Sequence, residues 1–250
     1  MSYCDLIDLD NMECFWFDGI KSTDFGLVIA SPKNYSSFEK DVKKVQVLGR
    51  DGDFIIDKKR SLNGIFPVEC NLIASEDVYR DVNRVKAWLQ STVEYKSLVF
   101  SYEQEYAYQA CVLSKIETIG IMDDVANLKI DFEIKPFKYL AYGLNKEEYT
   151  SAFSLFNPEI KEAFPYFKVP VNGDFTLRVN NNNFVFKNVD GFIEIDSEMM
   201  NAFKVTNGLI ENRNDRMYTK TFPVLNNGLN DISWTGNVTK IEVIPRWRGM

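Results

Sequence analysis

Residues 128–135 read LKIDFEIK: Leu128, Ile130, Phe132 and Ile134 alternate without a break with Lys129, Asp131, Glu133 and Lys135. An extended chain turns successive side chains to opposite faces, so this period of two collects every apolar group on one side of a sheet and every charge on the other. That is the signature of a half-buried antiparallel strand. Shorter runs of the same type occur at FWFDGI (15–20), FGLVIA (25–30), FPVECNLIA (66–74), FTLRV (175–179), FVF (184–186), FIEID (192–196) and KIEVIP (240–245), divided by Gly, Asn and Asp clusters. The spacing predicts a mainly β chain built from sandwiches or barrels.

One segment departs from this pattern. In SEDVYRDVNRVKAWLQ (75–90), Val78, Val82, Val85 and Leu89 recur at helical spacing. Ser75 is placed to cap the first free amides, and Glu76 and Asp77 favour the positive end of the dipole. We expect one amphipathic α-helix packed on a sheet, with Trp88 as a core or surface anchor. A boundary is expected near 140–170, where Pro158, Pro165 and Pro170 belong to linkers, edges or strand starts. The reading is an N-terminal domain over 1–140, mostly β with that helix and a hairpin, and a second, all-β domain over 141–250.

Composition narrows the chemistry. The 250 residues contain no histidine, which removes Ser-His-Asp and Cys-His nucleophile systems and His-ligated zinc together. The formal charge of −7 gives no general grip on nucleic acid, leaving Arg246 and Arg248 as the candidates for a local basic patch. Cys4, Cys14, Cys70 and Cys111 have no metal-ligand spacing and read as reduced thiols. With neither a signal-peptide pattern at the N-terminus nor an apolar run near membrane-spanning length, the expectation is a soluble chain made in the cytosol, with no membrane partner. No cofactor, metal or catalytic residue is expected.

The stretch VQVLGRDGDFIID (45–57) is the strongest apparent motif. It lacks the Lys and Ser/Thr of a P-loop, does not lead into a helix as a dinucleotide loop must, and its Asp51, Asp53 and Asp57 miss the calcium-loop template. It fits a β-hairpin, with Val45 and Val47 on one arm, Phe54 and Ile56 on the other, and Gly-Arg-Asp-Gly as a charged tip. In VDGFIEIDSE (189–198), Asp190, Glu194, Asp196 and Glu198 could supply a hydrolase carboxylate pair. Alternation with Ile193 and Ile195 instead points them to solvent. The Asn-rich loops NNNNF (180–184) and LNNGLNDISW (225–234) suit hairpin turns. They also suit a saccharide site with Trp234 or Trp247 as the aromatic platform.

The order of these features carries more than any one of them. The succession FWFDGIKSTDFGLVIA, VQVLGRDGDFIID, VKAWLQ, LVFSYEQEYAYQACV, FEIKPFKYLAYG resembles the N-terminal domain of the distal tail proteins of long-tailed siphophages and related prophages. VDGFIEIDSE and FPVLNNGLNDISWTGNVTKIEVIPRWR resemble that family's second domain. The first 14 residues look longer than the usual family start, and 157–167 match loosely. The resemblance implies an N-terminal sandwich-like ring domain with an extended hairpin and a C-terminal galectin-like β-sandwich. It also implies a non-enzymatic ring, usually a hexamer, assembled in the host cytoplasm and placed at the virion tail tip.

The partners implied are the tail tube protein, a tail-associated lysin or tail tip protein, and receptor-binding or baseplate proteins. DNA only passes through the lumen, and an acidic balance suits that passage. On this reading the arm from about Phe38 to Phe66 reaches a neighbouring subunit, with Arg50, Asp51 and Asp53 at its tip. The strand carrying Tyr102, Tyr106 and Tyr108 is the second interface candidate. The alternative is a carbohydrate-binding module that recognises host cell-wall saccharide through the C-terminal domain.

Overall fold

The computed structural model describes residues 9–30, 37–75 and 77–249; Cys4, Glu76 and the first eight residues lie outside them. By its internal contacts the chain divides into two units, between Lys138 and Tyr139. It is mainly β, with a single α-helix among the described residues.

The strands of the first unit are Phe15–Phe17 (β1), Ile20–Lys21 (β2), Leu27–Ile29 (β3), Lys40–Val45 (β4), Phe54–Ser61 (β5) and Gly64–Ile73 (β6). Lys96–Phe100 (β7), Tyr106–Cys111 (β8), Glu117–Met122 (β9) and Val125–Leu140 (β10) follow the helix. The main sheet runs β2-β1-β7-β8-β10-β6-β3, with β9 also on β10, while among the described residues β4 and β5 pair only with each other. The alternating segment lies in the middle of β10, with Leu128 opposite Cys70, Ile130 opposite Val68 and Phe132 opposite Phe66. All four of its apolar residues are buried in the core of this unit.

The helix, Val78–Leu89 (α1), sets Val78, Val82, Val85 and Leu89 into the same core, as their spacing requires. Its cap lies two residues later than the sequence suggested. Asp77 accepts hydrogen bonds from the backbone N–H groups of Tyr79 and Arg80 at 2.9 and 3.1 Å. Ser75 instead donates its N–H and hydroxyl to Asp81. Trp88 stacks on Phe25 at 4.6 Å and on Phe15 at 5.9 Å, an anchor for the helix. Cys14, Cys70 and Cys111 are buried free thiols, and burial raises the Cys70 pKa far above its ordinary value.

The second unit is a sandwich of two antiparallel sheets. Its strands are Glu147–Tyr149 (β11), Phe153–Asn157 (β12), Tyr166–Pro170 (β13), Gly173–Val179 (β14), Asn182–Val189 (β15) and Phe192–Asp196 (β16). They continue with Asn201–Thr206 (β17), Leu209–Asn212 (β18), Gly228–Gly236 (β19) and Ile241–Ile244 (β20). One sheet is ordered β11-β20-β13-β16-β17-β18 and the other β12-β19-β14-β15. Phe167, Val169, Ile193, Ile195 and Val243 from the first, and Phe175, Leu177, Phe186 and Ile232 from the second, are buried. The stretch around Pro158 is therefore flanked by sandwich strands, and Pro170 ends β13 opposite Phe192.

Candidate functional site

The hairpin of β4 and β5 is the part of the first unit that its own core explains least. Val45 lies opposite Phe54, Lys44 opposite Ile55 and Lys43 opposite Ile56, with a register shift between Lys40 and Val42. The eight residues 46–53 connect the strands, so Val47 belongs to the connection rather than to an arm. Gly49 and Gly52 supply its positive φ of 78° and 80°. Phe38, just before the hairpin, packs against the core of the unit and roots it there. Asp41 accepts from Arg60 Nε at 2.6 Å and pairs with Lys58 Nζ at 2.7 Å. Those two hydrogen bonds hold its carboxyl below the ordinary range.

Beyond this root the hairpin leaves apolar surface in water. Phe54, Ile55 and Ile56 are 50%, 59% and 45% exposed, and Leu48 is fully bare at 104%. A two-stranded ribbon is marginal by itself in water, so three consecutive exposed apolar residues on it single it out as the candidate site. The two strands also carry Lys40, Lys43, Lys44, Lys58, Lys59 and Arg60 against Asp41 and Asp57, a basic stem on an acidic chain. Arg50, Asp51 and Asp53 are exposed in the connection. Its residues were singled out in the sequence for their charge, whereas Phe54 and Ile56 were read only as apolar positions of an arm and Ile55 was not considered. Their lack of alternation was the available signal that both ribbon faces are apolar.

The other candidates fall elsewhere. Tyr108 is 5% exposed, its ring in the core and its hydroxyl donating to Glu103 at 2.8 Å, so it offers no surface to a neighbour. Tyr102 stacks on Phe100 at 5.1 Å, and Tyr106 lies under the Lys138 ammonium at 4.1 Å. Trp247 is 3% exposed, and a Cβ on Gly143 would come within 2.6 Å of its ring; with its faces covered it cannot serve as a saccharide platform. Trp234 is half-buried and donates Nε1 to the Val238 carbonyl at 3.1 Å.

The acidic cluster is not a solvated sheet face. Glu194 and Asp196 are 6% and 4% exposed. β16 lies between β13 and β17, so long side chains close over it from its neighbours: Lys168 reaches Glu194 at 3.4 Å, Tyr166 hydrogen-bonds to Glu194, and Arg246 clamps Asp196. Both arginines proposed as a basic patch are occupied within the unit, Arg248 over the Phe164 ring at 3.8 Å. The loop asparagines brace one another. Asn180 donates to Asn230 at 2.9 Å, and the fully buried Asn230 also holds the Asn226 N–H at 2.8 Å. Among the described residues, no three carboxylate or thiol groups gather closely enough to hold a metal ion.

Over most of its length the two-unit β chain shares its fold with solved proteins of phage adsorption apparatus. It is similar to the Dit protein of phage SPP1, described as a paradigm of the hub adsorption apparatus in phages infecting Gram-positive hosts. That match has a TM-score of 0.65 at 12% identity and covers 93% of this chain and 98% of that one. A chain of the phage P2 baseplate, solved in its activated conformation with calcium, matches at TM-score 0.53 and 11% identity over 93% and 97% of the two chains. The strontium form matches at 0.54. No family model matches the sequence, and no curated protein sequence does.

Proposed function

We propose that this chain is a non-enzymatic structural component of a phage tail tip. In this reading it is a ring-forming hub, hexameric in the family it resembles, that joins the tail tube to the host-adsorption apparatus. The observation that carries the reading is the β4–β5 hairpin: an ordered ribbon with bare apolar residues, on a fold that matches a phage hub protein over nearly the full length of both chains. Packing an exposed hairpin on the next copy is a low-cost way to close a symmetric ring. The second unit, a galectin-like sandwich in that family, then carries receptor-binding or baseplate proteins on its exposed surface. Its β18 edge, where Leu209 and Ile210 are 72% and 71% exposed, suits such a contact.

The test is light scattering and electron microscopy of the purified full chain, alone and with its neighbouring tail proteins. A ring-sized species in either setting supports the hub, and a strict monomer in both overturns it.

A further inference from the structure

Resting on the ring reading, the place on the next copy where the hairpin docks can be specified. At the turn between β9 and β10, the first unit has a groove of about 400 Å³ walled by Ile73, Ile121, Met122 and Val125 and rimmed by Asp123 and Asp124. Met122 is 78% exposed and Val125 39%, while Ile119 on the same ribbon is 62% exposed. A cavity of this size, within the roughly 300–1,000 Å³ typical of ligand pockets, has room for more than one side chain. Among the described residues, no ion pair engages the two rim aspartates.

The hairpin stem has the matching chemistry. Because Val45 pairs with Phe54 and Lys43 with Ile56, these four side chains share one face of the ribbon: three apolar groups with one ammonium beside them. Lys43 is exposed and forms no ion pair among the described residues. Met122 and Val125 of the groove and Phe54 and Ile56 of the stem are exposed in the single chain, and no residue of the stem lines the groove within one copy. Apolar walls edged by two carboxylates meet an apolar face edged by a lysine, and sign complementarity of this kind fixes register.

We infer that the Lys43–Val45–Phe54–Ile56 face of one copy seats in the β9–β10 groove of the next, with Lys43 against Asp123 and Asp124. Repeated head to tail, this contact uses two different patches of each subunit, the arrangement a ring requires when its rotation closes. It leaves the connection at 46–53 free to extend past the groove.

The test uses variants of the full chain that each carry one added cysteine. Phe54→Cys and Met122→Cys proteins are mixed and oxidised with copper phenanthroline, with each variant alone, the parent chain and Leu209→Cys mixed with Phe54→Cys as controls. A covalent dimer several-fold more abundant in the Phe54/Met122 mixture than in any control supports the proposal. A band no stronger than the Leu209 control overturns it. Light scattering on the same samples, alone and with the neighbouring tail proteins, separates the two readings: a larger species without the cross-link overturns the groove and leaves the ring, and a monomer in both settings overturns both. Lys43→Glu should weaken association about tenfold or more, and adding Asp123→Lys and Asp124→Lys in the same chain should restore it. Failure of that rescue in a folded protein also overturns the assignment.

Discussion

Arg246 and Asp196, fifty residues apart, join through two parallel hydrogen bonds, Nη1 to Oδ1 at 2.8 Å and Nη2 to Oδ2 at 2.9 Å. Asp196 also accepts the backbone N–H groups of Glu198 and Met199, each at 3.0 Å. A bidentate guanidinium and two amides satisfy this carboxylate. Each residue had a separate functional reading in the sequence, one as a phosphate contact and the other as a hydrolytic acid. Each is instead the other's structural partner.

Removing one side of this pair should therefore damage the fold. Arg246→Met leaves a buried charge without its guanidinium, and the loss is expected at about 3–5 kcal/mol. Denaturant unfolding of the full chain, read by tryptophan fluorescence, measures it.

The same pair sets a pH dependence. Burial alone would raise the Asp196 pKa, but the hydrogen bonds from Arg246 and the two amides outweigh it and the value lies below the ordinary 3.8. A depressed folded-state pKa contributes stability that is fully present above the unfolded value and is lost as pH falls through the folded one. Asp196→Asn should therefore be less stable than the parent at pH 7, and the gap should narrow progressively below pH 3.8. Denaturant midpoints of the two proteins across that range provide the check.

At the hairpin, stability and assembly should separate. Ile55→Ser and Ile56→Ser alter side chains that are 59% and 45% exposed, so monomer stability should change by no more than about 0.5 kcal/mol. Association should fall. Arg50→Glu combined with Asp51→Arg should act in the same direction, and sedimentation together with circular dichroism distinguishes loss of assembly from loss of fold.

The two tryptophans of the saccharide reading should behave as structural groups to different degrees. Trp247→Ala empties a fully packed site and should cost about 3–5 kcal/mol. Gly143→Ala, which forces a methyl to within 2.6 Å of that ring, should cost about 1–3 kcal/mol by overpacking. Thermal melts of both variants test the prediction.

The helix cap gives a direct test of position. Asp77→Ala should cost about 1 kcal/mol, since it removes the acceptor for two free amides, and Ser75→Ala should cost less. Chemical denaturation of the two variants ranks them.

The alternation of Leu128–Lys135, the helical spacing of Val78 to Leu89 and the turn chemistry of Gly49 and Gly52 were legible because each is set within a few residues of chain. The apolar face of β10, the buried side of α1 and the existence of the hairpin follow from those local periods alone. The register of the cap was missed by two residues because Ser75 and Asp77 are both competent acceptors. Which one served depended on Asp81 claiming Ser75.

A period of two says which residues share a face and nothing about whether that face is covered. Glu194 and Asp196 were correctly placed opposite Ile193 and Ile195, and their burial came from Lys168, Tyr166 and Arg246, contributed by distant segments of the chain. At the hairpin the opposite holds: Phe54, Ile55 and Ile56 have core-like composition and stay exposed because, among the described residues, β4 and β5 pair with no other strand. Sequence by itself determined the mainly β class, the single helix and the hairpin, since local backbone geometry dictates them. Only the tertiary structure decided which charges are buried in pairs and which apolar groups are left bare, because burial depends on what the rest of the chain lays over each face.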